Sequence, residues 1–98
     1  MDLGLTGKKV LITGGSKGIG LAIAQSFAAE GAIPVLVSRE RANLDKAVAA
    51  IQAAHGIAAQ AVAADLSAPG ACERLAQEVG EVDILVNNAG AIPGGSLH

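Results

Sequence analysis

The stretch Thr13-Gly14-Gly15-Ser16-Lys17-Gly18-Ile19-Gly20 constrains this chain more than any other. The apolar run Val10-Leu11-Ile12 leads into it, and an alanine-rich amphipathic segment, residues 21–30, leaves it. That order reads as strand, glycine turn, helix. Glycine tolerates positive φ and lets backbone approach a bulky group closely. The start of a helix points unpaired N–H groups and the positive end of its dipole back at the turn. A phosphate suits that position, so the turn reads as a cradle for a dinucleotide pyrophosphate. Its spacing, Gly-x-x-x-Gly-x-Gly, differs from the Gly-x-Gly-x-x-Gly of the commonest dinucleotide fingerprint. It also lacks the closing Gly-Lys-Ser/Thr of a Walker P-loop. The plainer alternative is a βα turn that holds no ligand.

The rest of the chain repeats the same alternation. Residues 8–13 read as a first strand and residues 33–38 as a second, with Pro34 tolerable near a strand start. The first helix carries Ile19, Ile23 and Phe27 four apart on one face, with Ala22 and Ser26 beside them. Residues 39–54 read as a second helix with Leu44, Ala47, Val48 and Ile51 along one side. Residues 57–64 read as a third strand. Ser67 is placed to cap a third helix, with Pro69 in its first turn. Cys72, Leu75, Ala76 and Val79 form the inner face of that helix, and residues 82–86 form a fourth strand. Gly31, Gly56 and Gly80 each stop a helix shortly before the next strand. The pattern βαβαβαβ implies right-handed crossovers and a parallel sheet.

A second motif, Asp83-Ile84-Leu85-Val86-Asn87-Asn88-Ala89-Gly90, ends the fourth strand in an Asn-Asn-Ala-Gly turn. Taken together, Thr-Gly-x-x-x-Gly-x-Gly and the later Asn-Asn-Ala-Gly resemble the short-chain dehydrogenase/reductase family. The resemblance runs from about Leu5 to Gly95. It implies an α/β fold: a Rossmann-type doubly wound parallel sheet, here the first four strands in the order 3-2-1-4 with three helices. Residues 1–98 are then expected to form a single dinucleotide-binding domain, the N-terminal part of a longer enzyme.

The resemblance also distributes roles. Gly14, Ser16, Lys17, Gly18, Ile19 and Gly20 would hold the cofactor at the first turn. Ser38 and Arg39 stand at the end of the second strand, where an NAD site carries an acid for the ribose 2′-OH. An arginine there attracts a 2′-phosphate with a fork of donors, and Lys17 can meet the same phosphate, so NADP(H) is favoured over NAD(H). Two solvated surface cations are the plainer alternative, and Glu40, next to Arg39, would weaken the preference if it faced the ribose. Asp65, followed by Leu66, would accept a hydrogen bond from the adenine amino group, or belong only to the turn before Ser67. Asn87, Asn88, Ala89 and Gly90 would set backbone beside the adenosine ribose and tie neighbouring strands, a task suited to an amide that both donates and accepts. The Thr13 hydroxyl would brace the turn.

Composition narrows the setting. The chain is 51% hydrophobic, yet Phe27 is its only aromatic residue, so the core must be built from Ala, Val, Leu and Ile. That suits a parallel sheet covered by helices. A net charge of −2 gives neither a basic footprint for nucleic acid nor a polybasic membrane patch. The single cysteine, Cys72, fits a reducing cytoplasm. No stretch is long and apolar enough to cross a bilayer, and residues 1–4 do not read as a signal peptide. No His/Cys/Asp/Glu cluster has metal-ligand spacing. His55 reads as a surface residue near a helix C-terminus.

The family's catalytic set is a serine and a Tyr-x-x-x-Lys. This sequence contains no tyrosine, and none of its serines matches the family's position, so no catalytic residue is assigned. The expectation is the cofactor half of a longer reductase that moves hydride between NADP(H) and a small-molecule carbonyl or alcohol. The parent would be a homodimer or homotetramer, and this chain alone would be inactive. An exposed fourth-strand edge supports that choice, because open edges invite aggregation. The alternative is a stand-alone dinucleotide-binding module or sensor without turnover.

Overall fold

Successive side chains of a strand go to opposite faces of a sheet, and β1, Lys9–Thr13, uses both. The computed structural model describes residues 4–14 and 18–88. Val10 and Ile12 of β1 enter one apolar layer and Leu11 the other. After β1 come α1 (Gly18–Ala29), β2 (Ile33–Ser38), α2 (Arg41–His55), β3 (Gln60–Ala63), α3 (Ala71–Val79) and β4 (Ile84–Asn87). All strand pairs are parallel and the order is β3-β2-β1-β4, as the resemblance implies. On one face, Val10, Ile12 and Leu36 pack with Ala24 and Ala28 of α1 and with Leu44, Ala47 and Ile51 of α2. On the other, Leu11, Val35, Val37 and Val62 meet Leu75 and Val79 of α3. Helices therefore cover both faces of one parallel sheet.

Pro34 lies inside a strand that has a neighbour on each side. Ile33 N–H donates to Lys8 O at 2.7 Å, so alternate residues of β2 face β1 and those between face β3. Pro34 thus points its missing donor toward β3, which begins pairing only at Val35↔Gln60. No ladder bond is lost.

The buried face of α1 is not the one that hydrophobicity picks. It is Gly20, Ala24 and Ala28, whereas Ile23 and Phe27 pack half-buried at its flank and Ile19 is exposed. Small residues let the helix axis come down close to the sheet, and larger ones at those positions would hold it off. The side of α2 follows the sequence pattern, with Leu44, Ala47 and Ile51 buried and Val48 packed beside them. Gly56 closes α2 in the left-handed region, its N–H donating to Gln52 O at 2.9 Å.

Several boundaries differ from the sequence expectation: β1 begins one residue later, at Lys9, and β4 runs Ile84–Asn87 in place of 82–86. β3 starts at Gln60, because Ala59 N–H turns back to Ile57 O and leaves residues 57–59 outside the ladder. Helix α2 starts at Arg41, with Glu40 extended at its N-cap. Ser67 does not cap α3. The helix begins at Ala71 behind Gly70, and Pro69 precedes it instead of lying in its first turn. The Ser67 hydroxyl is taken by Asp65, as described below. Cys72 is buried on the inner face of α3.

Candidate functional site

The four strands are parallel, so their carboxyl ends lie along one rim. β1 leaves that rim through Gly14, which has φ 69° and whose N–H donates to Val37 O of β2 at 2.8 Å. The chain re-enters at Gly18, with φ 63°, as α1 begins. Both torsions lie in the left-handed region that disfavours any residue with a Cβ. Gly20 is constrained for a different reason. A Cβ there would stand 2.1 Å from Gly14 O and 2.9 Å from Asn88 Nδ2. The missing side chain is the space in which the first turn of α1 crosses the end of β1. Next to it Ile19 is 74% exposed, the exposed large hydrophobic side chain among the described residues.

The end of β4 is tied to this turn. The Thr13 side chain is buried, and its hydroxyl donates to Asn87 Oδ1 at 3.0 Å while accepting from Asn88 N–H, also at 3.0 Å. Asn88 Nδ2 donates in turn to Gly14 O at 3.4 Å. The bracing role read for Thr13 and the strand-tying role read for Asn87 and Asn88 are thus one network. It couples residues separated by 74 and 75 positions in the chain.

The ends of β2 and β3 carry the charges. The Ser38 hydroxyl accepts from Glu40 N–H at 3.3 Å, a tight bend that leads into α2. Arg39 is exposed at this bend. Arg41 is directed along α2, within 3.9 Å of Asp45 on a solvated face, so of the two arginines at this bend Arg39 is the one without an ion-pair partner on α2. Glu40 turns along α2 as well: its Oε2 accepts from Asn43 Nδ2 at 2.5 Å. Opposite Arg39, Asp65 Oδ1 accepts from the Ser67 hydroxyl at 2.6 Å and from Ser67 N–H at 3.0 Å. These two bonds hold the Asp65 carboxyl below the usual carboxylate range, and the positive charge of Arg39 adds to the effect. Leu66 packs half-buried against the layer beneath α3.

Of the residues assigned to a cofactor from sequence, Gly14, Gly18, Ile19, Gly20, Ser38, Arg39, Asp65, Leu66, Asn87 and Asn88 gather along this rim. Ser16, Lys17, Ala89 and Gly90 lie outside the described residues. Sequence reasoning missed the Glu40–Asn43 contact. Its signal was present, a carboxylate and an amide three residues apart at a helix start, where side chains share a face. Among the described residues no group of three or more His, Cys, Asp or Glu could hold a metal ion. No described helix is long and apolar enough to cross a membrane. His55 Nε2 lies 2.8 Å from Gln25 Oε1 and joins α2 to α1, away from the rim.

Comparison with known proteins supplies the context for this arrangement. Residues 8–98 match the family described as short chain dehydrogenase. The human L-xylulose reductase is 46% identical over 89 residues, which cover 91% of this chain and 34% of that protein. The crystal structure of L-sorbose reductase from Gluconobacter frateurii, complexed with NADPH and L-sorbose, superposes with a TM-score of 0.86 at 44% identity. That match covers 93% of this chain and 36% of the other. The Pseudomonas aeruginosa RhlG/NADP active-site complex gives a TM-score of 0.79 at 41% identity, over 89% of this chain and 36% of that one. The chain spans about a third of the length of the curated relatives it matches. On the family match and these likenesses together, the chain belongs to the short-chain dehydrogenase/reductase family.

Proposed function

We propose that this chain is the cofactor-binding domain of an NADP(H)-dependent oxidoreductase that reduces a carbonyl or oxidises an alcohol. The observation that carries the reading is Arg39 at the end of β2, exposed and within electrostatic reach of Asp65, where an NAD site would present a carboxylate. Two structural relatives are complexed with NADPH or NADP, which supports the same cofactor here. The rim fits such a ligand: glycine backbone without side chains at Gly14, Gly18 and Gly20, an exposed apolar Ile19, and the exposed charges of Arg39 and Asp65.

In this reading the bound nicotinamide supplies or accepts the hydride. The chain's own residues do the holding. The turn and the start of α1 receive the pyrophosphate. Arg39, with Lys17, meets the 2′-phosphate; Asp65 and Leu66 flank the adenine; and Asn87, Asn88, Ala89 and Gly90 border the ribose. With no tyrosine among the 98 residues, the proton-transferring group belongs to the remainder of a longer protein. A homodimeric or homotetrameric parent in the cytoplasm, acting on a small molecule, completes the proposal.

The test uses the two adenosine halves of the cofactors, adenosine 2′,5′-bisphosphate for NADP and 5′-AMP for NAD, titrated calorimetrically into the full chain. The bisphosphate should bind more tightly. Arg39→Leu should weaken it about ten- to a hundredfold, the worth of a charge-assisted hydrogen bond, and leave 5′-AMP nearly unchanged. A wild-type preference for 5′-AMP would overturn the NADP reading. Equal weakening of both ligands would assign Arg39 to general charge or to structure.

A further inference from the structure

Glu40 raises a problem that the NADP reading leaves open. It is the neighbour of Arg39, it is exposed, and it carries the charge that a 2′-phosphate avoids. A carboxylate swinging freely at this bend would repel the phosphate and offer an acceptor to a ribose 2′-OH, which is how an acid at this place selects NAD. The structure shows the carboxylate held elsewhere. Asn43, in the first turn of α2, donates its side-chain amide to Glu40 Oε2. Glu40 makes no side-chain capping bond to the helix backbone, so the amide is what orients it. Among the described residues Glu40 forms no ion pair, and Arg41 is engaged by Asp45. Its backbone N–H is bonded to Ser38 Oγ, which fixes where the side chain departs from the chain. Arg39, the residue before Glu40, stands near enough to Asp65 at the end of β3 for its positive charge to help lower that carboxyl.

We propose that Asn43 is a positioning residue for cofactor choice: by holding the Glu40 carboxylate against α2, it keeps a negative charge away from the rim position at which Arg39 receives the 2′-phosphate. The inference rests on the NADP reading and adds a residue that never touches the cofactor. Asn43 acts through Glu40 alone, so its effect must vanish when Glu40 loses its charge. That dependence separates it from a structural contribution to α2.

The experiment measures dissociation constants of adenosine 2′,5′-bisphosphate and 5′-AMP for the full chain and its variants at low salt. Asn43→Ala removes the amide donor and, with the best helix-forming residue, leaves α2 intact. It should weaken the bisphosphate about two- to fivefold, the range for a partly screened charge, and leave 5′-AMP unchanged or slightly tighter. Glu40→Gln added to Asn43→Ala should restore the wild-type ratio. Asn43→Gln, which keeps an amide, should stay near wild type. The loss in Asn43→Ala should shrink as salt is raised. An Asn43→Ala ratio equal to wild type, or one that Glu40→Gln does not restore, would overturn the proposal while the NADP reading stands. A wild-type preference for 5′-AMP would remove both, and the Arg39→Leu titration reports that case separately.

Discussion

The two ends of the sheet are built from the same kinds of group and use them differently. At the amino end, β1 and β4 clasp each other: Lys9 N–H donates to Asp83 Oδ2 at 2.8 Å and Asp83 N–H to Lys9 O at 2.9 Å. The Lys9 ammonium donates to Val79 O at 3.0 Å, a cation on the last residue of α3, where the helix dipole favours it. Gly7 N–H donates to Gly31 O at 2.9 Å, which joins the lead-in to the end of α1. Each of these groups is spent within the chain. At the carboxyl end, the Thr13–Asn88 network ties the strand ends just as firmly, but an outer tier remains directed at solvent. Ile19 is uncovered, and Arg39 and Asp65 stand exposed at the ends of β2 and β3. Among the described residues, one end of the sheet is closed by the chain's own bonds, and the other is braced from below with these side chains in solvent. That asymmetry matches the rule that open α/β sheets take ligands beyond the carboxyl ends of their strands.

The largest expected effect sits where brace and receptor meet. Gly20→Val would drive a branched side chain into the Gly14 carbonyl. Overpacking costs about 1–3 kcal/mol and more where rigid backbone is the obstacle, at about 4–8 °C of melting temperature per kcal/mol for a domain of this size. Stability and nucleotide affinity should fall together. Loss of binding at an unchanged melting temperature would show that Gly20 guards ligand space alone. Thr13→Val keeps the shape of a buried side chain but removes the hydroxyl between Asn87 and Asn88. It should cost about 1–3 kcal/mol by thermal melting, since Asn88 N–H then lacks its partner. Both adenosine ligands should weaken by the same factor, and a changed ratio would mean that Thr13 reads the cofactor.

The smallest effect belongs to the amino end. Asp83→Ala removes an exposed acceptor and should cost about 0.5–1.5 kcal/mol, with both ligand affinities unaltered. If it shifted either affinity, the two ends of the sheet would be coupled and the division between them would fail.

Much of this was legible along the chain. Apolar runs bounded by Gly31, Gly56 and Gly80 place each helix before a strand, and the two turn motifs stand at the carboxyl ends of β1 and β4. Those features depend on neighbours in sequence, and local backbone preference is enough to express them. Clearance is different. Hydrophobicity ranks Ile19 and Phe27 above Gly20 and Ala24, yet the sheet accepts the smaller pair because contact distance, not apolar area, decides which face of α1 comes down on it. Ser67 had the chemistry of a helix cap, but Asp65 lies two residues away and claims it first. The bonds from Thr13 to Asn87 and Asn88 exist only because β1 and β4 become neighbours across the sheet. Sequence by itself determined which segments are strands and helices and at which strand ends the glycine and asparagine turns stand. Packing decided which side chains those segments turn to one another, since no residue's own chemistry specifies how closely a distant backbone will approach it.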